Sequence, residues 1–174
     1  MKENTILKER LKTLNADELL CLLIEIANLR KENRTWLRAK LAGMSGIDET
    51  IAYYKKKIHA ILWNEQIKIK DAKMAMADFK KICSDQKYIL KIMVFYVGTC
   101  IEVENEYGDL YESFYASVES VFENIIIMLN KNPELIDEFS IRLNSIVEKS
   151  AEGWGHQDSL RDVLSTLDTN NAKK

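Results

Sequence analysis

The chain has 174 residues and a mass of 20.2 kDa, enough for one compact domain or two tightly packed halves. Apolar residues make up 47% and charged residues 30%, with six Gly and a single Pro; this excludes collagen-like, low-complexity and disordered chains and leaves a β-rich fold short of turn residues. The net charge of −2 is unevenly divided: residues 1–82 carry 17 Lys/Arg against 11 Asp/Glu, and residues 83–174 carry 8 against 16.

Every long segment repeats its apolar residues with a helical period and none alternates as a strand does. A first helix is predicted at about Thr5–Leu14. Asn15 with Glu18 reads as a capping box opening a second helix, with Leu19, Leu22, Leu23, Ile26 and Leu29 on one stripe, continuing through Trp36, Leu37 and Leu41 to a break at Gly43–Gly46. A third helix spans about Asp48–Trp63. Residues 64–70 form a polar, basic connector, and a short helix follows at about Asp71–Ile82. Ser84 or Asp85 can cap the next helix, whose stripe of Ile89, Met93, Tyr96, Val97, Cys100 and Val103 runs to a stop at Gly108. Another helix covers about Leu110–Asn130, and Pro133 suits the first turn of its successor, which ends near Ser150. The Gly153-Trp154-Gly155 turn leads to a last helix at about Gln157–Leu167 and a frayed polar tail over 168–174. These elements predict an all-α fold of about seven or eight helices, a multi-helix bundle or stacked antiparallel helical hairpins. One domain over 1–167 is expected, with 64–70 the place for any subdivision.

Cys21, Cys83 and Cys100 lack C-x-x-C spacing and sit in apolar helical patterns, so they read as reduced thiols. No signal-peptide pattern is evident at the N-terminus. The longest strongly apolar uncharged stretch, Ile92–Ile101, is about half a membrane span. The expectation is a cytoplasmic protein with no membrane contact.

Several stretches form a recognisable set: Ala72 with Asp78-Phe79-Lys80-Lys81, Tyr96-Val97-Gly98, Glu104-Asn105-Glu106-Tyr107-Gly108-Asp109, Phe114-Tyr115 with Ser117, Glu119 and Phe122, and Gly153-Trp154-Gly155. Together they resemble a family of small prokaryotic proteins known only as a domain of unknown function, and Leu14 with Asp17-Glu18-Leu19-Leu20 is compatible with its N-terminal end. The resemblance implies a soluble all-helical protein and brings no activity, substrate or catalytic residues.

Two places have residue types suited to chemistry. Glu102, Glu104, Glu106 and Asp109 crowd a helix C-terminus, where carboxylates face the negative end of the macrodipole. Glu104 continues the apolar stripe through Val97 and Cys100, so it should point inward and need a partner: a base, a metal or a hydroxyl such as that of Tyr115. The helix from Leu110 leaves this turn and the helix from Pro133 should return antiparallel, which brings Trp154, His156 and Asp158 to the same face as Tyr107–Asp109. Glu104, Glu106, Asp109, Trp154, His156 and Asp158 are therefore a candidate ligand or metal set. Trp154 between two glycines reads first as a plug folded back onto the core, with a ligand-stacking surface as the alternative. The second place is a basic stripe, with Arg30, Arg34 and Arg38 at i, i+4, i+8 and Lys55, Lys56 and Lys57 further on, which could follow phosphates or lie as a solvated face.

No phosphate-binding glycine loop, nucleophile elbow or di-iron Glu-x-x-His pair is present. The expectation is a non-catalytic helical scaffold or protein-interaction module, bound to another protein or to itself and without a cofactor. The alternatives are anion or nucleic-acid binding through the basic half, and a small-molecule or metal site at the acidic turn facing 153–158.

Overall fold

A computed structural model describes residues 2–42, 46–108, 110–152 and 155–168. Among these there are nine α-helices and no strand: α1 Lys2–Lys12, α2 Ala16–Leu29, α3 Lys31–Ala42, α4 Ile47–Leu62, α5 Ile69–Ile82, α6 Gln86–Tyr107, α7 Glu112–Lys131, α8 Ile136–Lys149 and α9 His156–Ser165. A single 3₁₀ turn over Pro133–Leu135 joins α7 to α8. The protein is all-α. No helix among the described residues is long and apolar enough to cross a membrane. Residues 169–174, most of the tail expected to fray, lie outside the described residues.

The chain packs as two compact units that part between Thr50 and Ile51, in the first turn of α4. The connector at 64–70 lies inside the second unit.

In the first unit the capping box forms as the sequence predicts. The Asn15 side chain accepts from the Glu18 amide at 2.9 Å, and the Asn15 amide donates to the Glu18 carboxylate at 2.8 Å. The single helix expected from Asn15 through Leu41 is divided instead. Arg30 adopts an extended backbone (φ −146°, ψ 147°) between α2 and α3, and the two helices fold against each other. Side chains hold the bend: Asn33 donates to the Ile26 carbonyl at 2.8 Å and Arg34 to the Asn28 side chain at 2.9 Å. The bond to the Ile26 carbonyl replaces one helical pairing lost at the break.

The second unit is built on a four-helix bundle of α6, α7, α8 and α9. Each of α6 and α9 packs on both α7 and α8, so α6 and α9 face each other across the diagonal. At one end Lys87 and Lys91 of α6 reach Glu138 near the start of α8, at 2.8 and 3.6 Å. At the other end Asn105 of α6 donates to the Lys149 carbonyl of α8 at 2.8 Å; α6 and α8 therefore run parallel. Asn130, near the end of α7, donates to the Thr166 carbonyl and accepts from the Asp168 amide, so α7 and α9 run parallel to each other and antiparallel to the first pair. Buried Tyr96, Phe114, Phe122, Ile125, Leu129 and Leu143 fill the centre. Ile92–Ile101 is the buried middle of α6, which explains its lack of charge. Outside the bundle α5 packs on α6, and Tyr54 of α4 meets Phe79 of α5 edge to face at 5.5 Å.

Candidate functional site

The up-down-up-down path brings the C-termini of α6 and α8 and the N-termini of α7 and α9 to one end of the bundle. Glu104, in the last turn of α6, faces inward and is 2% exposed. His156, the first residue of α9, is 4% exposed. They meet across the diagonal, with His156 Nδ1 3.1 Å from Glu104 Oε1. The turn that aims His156 inward depends on Gly155, which caps α9 in the left-handed region at φ 77°, where a side chain would strain the backbone.

Tyr115 of α7 completes the floor. Its ring stands edge to face with the His156 imidazole at 4.8 Å, and its hydroxyl accepts from the Leu110 amide at 3.1 Å. Of the partners expected for Glu104, the base is the one that meets it, in His156, while the Tyr115 oxygen is turned to the backbone before α7.

Two polar atoms of this pair have no hydrogen-bond partner among the described residues: Glu104 Oε2 and His156 Nε2, both shielded from bulk water. Each such atom costs about 1–3 kcal/mol if left unmatched. Glu104 and His156 also line a cavity of about 710 Å³. Helix α7 contributes Glu112, Tyr115 and Glu119 to its wall, spaced i, i+3, i+7 on one face. Helix α9 contributes Ser159, one turn beyond His156, and Leu110, Ala151 and Glu152 close the rim. A smaller hollow of about 230 Å³, with Gln157 and Asp158 on its walls, shares Glu152 and Gly155 with the cavity.

Of the residues the sequence singles out, Glu104 and His156 are together. Glu106 is exposed on the outer side of α6. Asp158 is exposed and pairs with Arg161 at 2.9 Å, lining the smaller hollow rather than the cavity. Asp109 and Trp154 lie outside the described residues. Among the described residues no three His, Cys, Asp or Glu side chains converge to hold a metal ion. Glu112, Glu119, Glu152 and Ser159 were not among the candidate site residues, although the i, i+3, i+7 spacing of Glu112, Tyr115 and Glu119 was a signal that these three share a face.

The residues of the basic stripe fall on separate elements. The break at Arg30 removes it from the helical ladder, leaving Arg34 and Arg38 one turn apart on α3. Lys55, Lys56 and Lys57 belong to the second unit. The Lys55 ammonium sits 5.2 Å from the centre of the Phe95 ring, and its pKa is lowered by burial and by nearby Lys91 and Arg142. Lys56 is exposed and Lys57 half-buried.

Comparison of the chain with protein-family models, with curated proteins and with solved structures finds no match.

Proposed function

We propose that the bundle of the second unit is a receptor for a small molecule, which it holds at the cavity over the Glu104–His156 pair without changing it chemically. One observation carries this reading: a buried acid–base pair with two unmatched polar atoms lines a cavity large enough for a ligand. Natural cores rarely tolerate such atoms unless something else meets them, and cavities of roughly 300–1,000 Å³ are the usual size of ligand sites. Screening a charge-balanced fragment library by NMR tests it. Fragments are expected to shift the ring signals of His156 and Tyr115, and Ser159→Trp, which fills the wall, is expected to abolish those shifts with the fold intact. A library in which no fragment of any charge moves these signals overturns the reading.

A second reading concerns the first unit, as a module that pairs with a second copy of the chain. Helix α2 buries only Ala27, while Leu20 and Leu29 are 56% and 75% exposed and Leu23, Ile24 and Ile26 are exposed beside them. A unit of this size has too little core to stand alone. Charge favours a second copy as the cover. Over Ala16–Leu29, α2 has Asp17, Glu18 and Glu25 and no base, whereas α3 has Lys31, Arg34, Arg38 and Lys40 against Glu32. Packing α2 on the partner's α3 closes the apolar faces and matches opposite charges. Sedimentation equilibrium is expected to give a dimer that Leu20→Lys with Ile24→Lys turns into a monomer; a wild-type chain monomeric at every concentration overturns it.

A further inference from the structure

We propose that the molecule held by the bundle cavity is an organic cation, an ammonium carried on an apolar body; this rests on the receptor reading above. Four carboxylates line the cavity: Glu104 on the floor, Glu119 on the wall, and Glu112 and Glu152 at the exposed mouth. No Lys or Arg side chain lines it among the described residues.

The buried pair points independently to a donor. His156 faces Glu104 Oε1, while Oε2 has no donor among the described residues. With Nδ1–H donating to Oε1, Nε2 is an acceptor in the neutral ring and a donor in the protonated one, and Oε2 lacks a donor in both. An ammonium supplies N–H donors and the compensating charge together. An anion would add negative charge and still offer Oε2 no donor.

The helix ends leave the sign to the side chains. Helices α7 and α9 begin at this end of the bundle and α6 and α8 finish there, so their terminal partial charges oppose one another. The uncharged lining suits the rest of the ligand. Leu110 and Ala151 are apolar, and Tyr115 offers an aromatic ring to the apolar body and to the cation.

The test uses the full chain and three probes sharing one phenylethyl-type body: phenethylammonium, phenethyl alcohol and phenylacetate. Phenethylammonium is expected to shift the His156 and Tyr115 ring signals saturably and at least about tenfold more tightly than the alcohol, with phenylacetate causing no shift. Glu119→Gln is expected to weaken the ammonium about tenfold and leave the alcohol unchanged; Glu112→Gln, at the exposed mouth, provides a second variant whose fold is not at risk. Equal or tighter binding of the alcohol or of phenylacetate overturns the cation proposal and leaves the receptor reading standing. Silence from all three probes overturns it too: if the fragment library still moves the same signals, only the ligand class falls, and if it does not, both fall.

Discussion

Glu104 and His156 hold each other in a place where neither is easily kept alone. Removing one leaves the other buried without its partner, so Glu104→Ala and His156→Ala are each expected to cost about 1–3 kcal/mol in urea unfolding. The double variant should cost less than the two singles combined, because the interaction is lost only once. The thiols separate in the same way by burial. Cys21 is exposed, whereas the Cys100 thiol is pushed up by burial and by the nearby Glu104. A thiol reagent is expected to label native protein at Cys21 and to reach Cys100 only on unfolding, which mass spectrometry of the labelled chain reads directly. Glu104 was legible in the sequence because a carboxylate on an apolar stripe must turn inward. The encounter with His156 was legible from the antiparallel path of the chain. Which group would hold Glu104 was not, since Tyr115 and His156 both reach the same spot, and only the backbone amide of Leu110 decides where the Tyr115 hydroxyl turns.

Helix starts carry the next level of organisation. Asp85 caps α6 by accepting from the Lys87 amide at 2.9 Å, so Asp85→Ala is expected to lower stability by about 1 kcal/mol in thermal unfolding. The ends of α6 and α8 are tied by Lys87 and Glu138. The Lys87 hydrogen bond and charge hold the Glu138 carboxyl below its ordinary range, and Glu138 holds the Lys87 ammonium above its own. The tie therefore contributes fully only above the unfolded carboxylate value, and is lost as pH falls through the depressed folded value. On the alkaline side it is present below the unfolded amine value and lost as pH rises through the raised one. Glu138→Gln is expected to flatten both limbs of a melting-temperature profile, and salt to shrink the difference, because the pair is open to solvent. At this scale the sequence was less informative about the bend at Arg30. Leu29-Arg30-Lys31 are all good helix formers, and the bonds that stabilise the bend come from Asn28, Asn33 and Arg34, whose pairing depends on the folded hairpin. The row of Glu112, Tyr115 and Glu119 was obscured for a related reason: acidic residues along one face of a helix look the same whether they face water or a cavity.

Across the molecule, the chain divides into two compact units. All the residues lining the cavity come after Ile51. A chain starting at Gly46, which keeps α4 whole, is expected to unfold cooperatively and to keep the His156 and Tyr115 ring signals where they stand in the full chain, as NMR of the two proteins would show. Loss of those signals in the shorter chain would mean that the first unit is needed to form the site. The fold class followed from composition and period alone. The division into units did not, because it falls inside a helix, where neither glycine nor proline marks it.

Helix α9 has ten residues, fewer than a helix needs to persist alone in water. It is fastened at its start by His156 and at its end by Asn130, through partners 52 and 36 positions away along the chain. Such a segment is expected to act as the clasp of the bundle, closing after the other three helices have assembled and opening before them. Its amide hydrogens should exchange with solvent through openings that leave α6 and α7 intact. Anything seated on Glu104 and His156 would then slow that exchange along the whole of α9, so the rate at which one short helix lets go becomes a clock for how long the cavity stays filled.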